Sequence, residues 1–387
     1  MTKTDRLSRR QVLGTGMGAA AAILAGAGGL QAARAQSAGQ SPSTPAAQKD
    51  DLRCGMIGTG GRGSGVLSAI HKSPGVRVTA LCDLHEGRLN EAAKAVGDDK
   101  PQLFTDYRKL IDYQELDAVF VETPCYLHAE MVIAVLKSGR HCYGEKPMAL
   151  TVPDINEVFG TAKSSKGIYQ VGTQLRYASP WKPAIETIQQ GVIGKPIIIQ
   201  GHRHNAGDMP HDRPWFFDRK LSGDVIVEQA VHEFDIFNAV FQHAPKRASG
   251  FGGQAVRFEP KGRNIMDHFT LSLDYGKNES AGYTHSWIAP EGAGGWRFMV
   301  YGEKGAVEIQ DGKVYLKGKD KPEKVSEEPK GDSTQLAVDD FFRCIREGKQ
   351  PLANAETGRN AVLVALLGRT AIYEGRLVTM DELLAKG

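Results

Sequence analysis

The sequence predicts an α/β chain with two folded domains: a doubly wound parallel sheet, then an open-faced α/β domain with an antiparallel-rich sheet. Three observations carry this reading. Apolar runs alternate with helix-like segments from Leu52 to about Leu175. A glycine pattern sits between the first run and the first helix. Beyond Leu175 the alternation gives way to consecutive strands with no helix between them.

Residues 1–35 stand apart from the fold. Arg6, Arg9 and Arg10 precede an uncharged stretch from Gln11 to Ala33, and Ala33-Arg34-Ala35 has the form of a signal cleavage site. Ser8-Arg9-Arg10-Gln11-Val12-Leu13 resembles a twin-arginine export signal, with Val12 where Phe is usual. The uncharged stretch is almost long enough to cross a bilayer. Its Gly and Ala content makes it only mildly apolar, which favours a signal over an anchor. The expected location is therefore periplasmic or otherwise exported, with the twin-arginine machinery as a partner. Residues 36–51 form a Ser/Pro/Ala/Gln linker too polar to bury.

The first domain is assigned to residues 52–175. Its first strand ends at Ile57, and Gly58, Gly60 and Gly63 then form G-x-G-x-x-G ahead of a helix. The next strand, Val76 to Cys82, ends at Asp83. This order is the fingerprint of a Rossmann dinucleotide site. One glycine permits the tight turn, one lets backbone approach pyrophosphate, and one lets helix pack close to strand. The helix N-terminus supplies N–H donors to the phosphates. Gly58, Gly60, Gly61, Arg62 and Gly63 are thus expected at the phosphates and Asp83 at the ribose. Asp83 would accept from a 2′-hydroxyl and repel a 2′-phosphate, so NAD is the expected cofactor. Arg62 and Arg88 leave NADP possible. A helix over Leu89–Val96 follows, then a buried strand over Asp117–Val121 and a helix over Leu127–Lys137 closed by Gly139. Arg140–Tyr143 is the next strand. Thr151 caps a helix reaching Lys163, and Ile168–Gly172 is the last strand.

The second domain is assigned to residues 176–387. A helix over Pro183–Gln190 precedes a strand at Ile197–Ile199, and one helix spans Asp224–Phe241. Strands then follow at Arg247–Phe251, His268–Tyr275, Ser280–Ile288, Trp296–Tyr301 and Ala306–Gln310. Helices near Gln335–Arg346 and Glu356–Tyr373 close the chain. The cleft between the domains is the expected active site.

Composition removes several classes. The net charge of +3 includes the basic leader, and no basic tract or stacking-aromatic motif points to nucleic acid. Cys54, Cys82, Cys125, Cys142 and Cys344 show no C-x-x-C spacing and read as buried free thiols. No metal site is visible.

Chemistry concentrates in a few places. Glu145-Lys146-Pro147 follows a parallel strand, where such sheets bind ligands. Lys146 there would hold a substrate hydroxyl and stabilise a developing alkoxide. Thr123-Pro124, with His128, follows the preceding strand and could form a wall for the nicotinamide, or be an ordinary strand-to-helix turn with Pro near the helix start. Glu228 and His232 are spaced i, i+4, with Asp235 three further on the same side. His232 is a candidate general base that a carboxylate would orient and make more basic. Arg176, which follows the last Rossmann strand, and Asp235 could reach substrate hydroxyls. His202 to Asp218, rich in His, Asp, Arg and aromatics, reads equally as a sugar-binding loop, with Trp215 stacking on a ring, and as a crossover loop with ordinary interface contacts. From the residues alone, Lys146 is equally a solvated lysine, and Glu228–His232 reads first as a surface pair on an amphipathic helix.

The glycine turn, Asp83, Thr123-Pro124 with His128, Glu145-Lys146-Pro147 and the Gly223…Glu228…His232…Asp235 segment occur together in one order. From about Leu52 onward the chain resembles the Gfo/Idh/MocA oxidoreductases, which include glucose–fructose oxidoreductase and inositol dehydrogenase. The resemblance implies NAD(P)-linked oxidation of a sugar or polyol hydroxyl. It makes Lys146 and His232 the catalytic pair and places Thr123, Pro124, His128, Glu145 and Lys146 at the cofactor. It also implies a homo-oligomer, dimer or tetramer. Two positions depart from the family: Glu228 stands where Asp is frequent, and Ser222-Gly223-Asp224 replaces a more Gly-rich lead-in. Two other readings share the fold: an NAD-dependent glycosidase using transient sugar oxidation, and a non-catalytic sugar- or cofactor-binding sensor.

Overall fold

The computed structural model describes residues 51–325 and 331–386; the signal, and the linker up to residue 50, lie outside the described residues. The first half runs β1 (Leu52–Ile57), α1 (Gly61–Lys72), β2 (Val76–Cys82), α2 (Glu86–Ala95), β3 (Gln102–Phe104), α3 (Tyr107–Asp112), β4 (Ala118–Val121), α4 (His128–Lys137), β5 (His141–Gly144), α5 (Val152–Ser164) and β6 (Tyr169–Val171). All pairings in this sheet are parallel, in the order β3-β2-β1-β4-β5-β6. That order reverses direction between β1 and β4, which opens a crevice at the carboxyl ends of those strands. Every residue of β4 is buried, as expected for a central strand covered by helices on both faces.

The second half begins with α6 (Trp181–Gln189) and β7 (Pro196–Ala206). Three helices follow: α7 (Arg219–Ser222), α8 (Val225–Glu228) and α9 (Val231–Phe241). Then come β8 (Arg247–Gly253), β9 (His268–Gly276), β10 (Glu279–Ala289), β11 (Gly295–Gly302), β12 (Gly305–Glu308), β13 (Lys313–Leu316) and β14 (Glu323–Lys324). The chain closes with α10 (Ser333–Glu347), α11 (Ala355–Glu374), β15 (Val378–Thr379) and α12 (Met380–Ala385). The nine-stranded sheet has the order β14-β13-β12-β11-β7-β10-β9-β8-β15, antiparallel except for β7 beside β10. The antiparallel-rich second sheet is therefore as predicted.

Three features differ from the sequence expectation. β7 runs on to Ala206, so His202, Arg203 and His204 are strand residues, and the crossover loop starts after them. The expected helix over Asp224–Phe241 is broken into α8 and α9. Finally, α10 returns to cover the first sheet: Phe341 meets the Phe120 ring edge-on at 5.4 Å, and Ser73 Oγ donates to Asp339 at 2.6 Å. All five cysteines are buried free thiols.

α9 and the Ala361–Gly368 stretch of α11 are buried on every face. Helices of this kind are apolar all round. α9 departs from that at His232, Glu233, Asp235 and Asn238, and a buried polar group must find a partner or a function. That requirement organises the site.

Candidate active site

The dinucleotide crevice is built around two glycines that cannot be replaced. Gly58 takes φ 93°, and a methyl group there would fall 2.6 Å from the Glu122 carbonyl oxygen. A methyl on Gly63 would fall 2.2 Å from the Gly58 carbonyl oxygen. With neither position able to carry a side chain, α1 settles close against β1 and β4. Gly60 caps α1 and places no side chain over the helix end, leaving its N–H groups open to an anion. Asp83 is oriented by three donors: Thr59 N at 2.8 Å, Thr59 Oγ1 at 3.1 Å and His85 N at 2.8 Å. A carboxylate has about four lone-pair sites, so capacity remains for a ribose hydroxyl. This cradle fits a dinucleotide.

Two of the expected cofactor contacts sit elsewhere. Arg62 turns away from the phosphate turn, bonding Glu145 Oε1 at 2.6 Å and Thr334 Oγ1 at 2.9 Å. It ties the first helix to the E-K-P strand end and to α10. His128 is buried between two turns, with Nδ1 2.7 Å from the Pro147 carbonyl and Nε2 2.8 Å from that of Thr123. It fixes the Thr123-Pro124 turn against the Lys146-Pro147 turn, which contains a cis peptide bond, and so positions Lys146 indirectly. Glu145 also accepts from the Lys146 N–H at 3.1 Å. Glu122, which the sequence reading passed over, sits below the glycine turn with both carboxyl oxygens buried and unpartnered. Burial, and then the Glu145 charge, push its carboxyl well above the usual range despite nearby Arg62.

Lys146 and Glu228 form the centre of the substrate cavity. Lys146 Nζ donates to the Glu228 carboxylate at 2.9 Å and to the Glu228 backbone carbonyl at 2.5 Å. An ammonium has three protons, so one stays free. Burial raises the Glu228 carboxyl, but Lys146 outweighs it and holds the carboxyl below its ordinary value. The expected Glu228–His232 partnership is absent because the helix break separates them, and Glu228 serves the lysine instead. His232 is accordingly not made more basic. Burial first, and then the fields of Lys146, Arg203 and Arg62, hold its ring well below the ordinary histidine value. It is a neutral imidazole near pH 7. Its Nδ1 is sealed from solvent without a partner, which leaves Nε2 as the nitrogen that can meet a substrate.

The other polar residues of α9 are paired. Asp235 takes Arg176 in two bonds, at 2.5 and 2.8 Å, with only 1% of its side chain exposed. Glu233 faces Arg203 at 3.4 Å, and Asn238 accepts from the Tyr275 hydroxyl at 3.0 Å. Arg176 and Asp235, expected to contact substrate, therefore neutralise each other beneath the site.

The cavity, about 220 Å³, is lined by Lys146, His232, Glu228, Gln229, Gln174 and Arg203, with Leu175, Pro210, Arg213, Phe216 and Trp296 completing it. That is below the ~300–1,000 Å³ of pockets for drug-sized ligands and suits a single ring. Trp215 is not in the lining: it packs edge-on to Phe216 at 6.3 Å. The aromatic wall comes from Phe216 and Trp296, whose ring carries the Arg203 guanidinium at 4.7 Å. Gln229 was missed because it stands in the helix break. Its Oε1 lies 3.0 Å from His285 Nε2 and accepts from Trp287 Nε1 at 2.9 Å, so its amide is fixed from behind. Arg203 and Trp296 carried no motif; only strand alternation, extended through β7 and β11, would have pointed them inward.

Two models of one family match the chain: the oxidoreductase family, NAD-binding Rossmann fold, over residues 52–173, and the GFO/IDH/MocA C-terminal domain over residues 181–308. A myo-inositol 2-dehydrogenase of Thermotoga maritima is 24% identical over 342 residues, covering 86% of this chain and all of that protein. A glycosyl hydrolase family 109 protein of Shewanella pealeana is 31% identical over 227 residues, which span 54% of this chain and 47% of that protein. Among solved structures, myo-inositol 2-dehydrogenase from Lactobacillus plantarum superposes with a TM-score of 0.74 at 24% identity, covering 85% of this chain and 99% of that one.

Proposed function

The chain belongs to the Gfo/Idh/MocA oxidoreductase family, and from that premise we propose that it is an exported NAD-dependent oxidoreductase of a single-ring sugar or cyclitol, acting on one CH–OH group. The observation that carries the reading is the pair lining one cavity: a lysine with one free proton and a histidine kept neutral. The inositol dehydrogenases among its relatives support a polyol substrate.

The glycine turn and Asp83 would hold NAD, which when bound would supply the hydride acceptor. The residues of this chain supply the rest. Lys146 donates a hydrogen bond through its remaining N–H to the substrate oxygen, without losing the proton, and offsets the negative charge that builds there. Glu228 keeps that ammonium aimed. The neutral His232 takes the hydroxyl proton as carbon becomes carbonyl, and in the reverse direction returns it. Gln229 and Gln174 offer hydrogen bonds to other ring hydroxyls, and Trp296 and Phe216 offer apolar faces to the ring.

The test is incubation of purified protein with NAD and a panel of cyclitols and pyranoses. At least one should give NADH together with a keto product. The family 109 relative favours a second reading, in which a glycoside is cleaved without net NADH. Aglycone release at constant NAD would establish that reading, and tight sugar binding with neither product would establish a sensor.

A further inference from the structure

We propose that Arg213, carried by the second domain, completes the dinucleotide site by gripping the cofactor's diphosphate from the side opposite the glycine turn. The inference rests on the NAD-binding reading above. A methyl group on Gly61 would lie 3.3 Å from Arg213 Nη2, so the guanidinium hangs over the first residue of α1. That is the helix end whose free N–H groups receive pyrophosphate in this fold.

Arg213 is also held ready. Its loop is pinned by Met209, 3% exposed, and Phe216, 1% exposed. Its backbone closes two tight turns, Arg213 N to Pro210 O at 3.0 Å and Phe216 N to Arg213 O at 2.9 Å. Among the described residues its one ion pair is a 3.8 Å contact with Asp212, whose side chain is 78% exposed. The other cations of the cavity are committed, Lys146 to Glu228 and Arg203 to Glu233. Arg213 is thus the guanidinium left to meet an anion, and its planar fork matches phosphate oxygens. The glycine turn belongs to one domain and Arg213 to the other, so a diphosphate between them bridges the two and is released slowly.

The experiment is a fluorescence titration of the full chain with NADH, with dissociation followed by stopped flow, for the parent, Arg213→Ala and Arg213→Lys. ADP-ribose and adenosine serve as competitors. Arg213→Ala should weaken NADH and ADP-ribose by about tenfold to a hundredfold, the span of a charged hydrogen bond. Most of that change should lie in a faster off-rate, and adenosine, which has no phosphate, should be unaffected. Arg213→Lys should fall between. An unchanged melting temperature shows that the loss is local. If Arg213→Ala binds NADH as the parent does and only the polyol KM rises, the residue serves the substrate and the proposal is overturned. If the parent binds no dinucleotide, the functional reading fails with it. An equal loss for adenosine would mean a disturbed fold and would also overturn it.

Discussion

Arg176 and Asp235 show how a residue's role turns on its partner. Each alone is a plausible sugar ligand, and sequence spacing brought both toward the site. Their buried pairing makes them structural. Breaking a buried pair from one side leaves an uncompensated charge, at a cost of about 3–5 kcal/mol. Arg176→Ala should lose about that much in urea denaturation while the folded fraction keeps its KM; a raised KM at unchanged stability would return Arg176 to the substrate. Glu122 yields a pH prediction. Its folded-state pKa is raised, so its contribution to stability is full below the unfolded value of about 4.3 and is lost as pH climbs through the folded value. Glu122→Gln removes that loss. Its melting temperature should exceed the parent's by a margin that widens as pH rises above the unfolded value. A constant margin would show that Glu122 is ionised and paired. Neither the Arg176–Asp235 pairing nor the burial of Glu122 was legible beforehand, because contacts and burial between distant segments leave no local pattern. Lys146 and the glycines were legible, since their chemistry is tied to a strand end.

At the scale of elements, most strands and helices lie close to where periodicity puts them, from β1 at Leu52–Ile57 to α11 at Ala355–Glu374. The α8–α9 break escaped because apolar residues continue on both sides of it, and a helix buried all round has no polar stripe to mark its phase. The lead-in to that break holds a further consequence. Asp224 adopts φ 80°, a region that favours glycine, immediately after Gly223. It is retained there by Val225 N at 2.7 Å, Met266 N at 3.0 Å and the Tyr373 hydroxyl at 2.5 Å. The carboxylate thus compensates for the missing glycine. Asp224→Ala would lose the bonds and keep the strain, costing about 3 kcal/mol; Asp224→Gly would lose the bonds but relieve about 1 kcal/mol of strain. The expected order of melting temperatures is Asp, Gly, Ala. If Ala matches Gly, the backbone there is unstrained.

At the scale of the whole molecule, the sequence order of domains does not match their packing. α10 sits late in the chain yet covers the first sheet, and an amphipathic helix does not encode which sheet it will meet. Arg62, reaching Glu145 on one side and Thr334 on the other, helps fix that return. The export reading belongs to this scale as well. A twin-arginine route carries folded proteins, so a cofactor can travel inside one, and a diphosphate gripped from two sides is suited to the journey. Arg9→Lys together with Arg10→Lys should trap the protein in the cytoplasm; unchanged exported abundance by cell fractionation would remove that proposal. The central claim is that Lys146 and His232 act as one unit on one hydroxyl. The most direct measurement is turnover of His232→Ala, Lys146→Ala and the double variant on whichever polyol reduces NAD, with NADH affinity measured alongside. Losing a general base costs about 10²–10⁴-fold in rate. Each single variant should fall by that much with NADH affinity nearly intact, and the double variant should lose far less than the product of the two. Near-normal turnover in His232→Ala, or a double variant that loses the full product, would contradict the account.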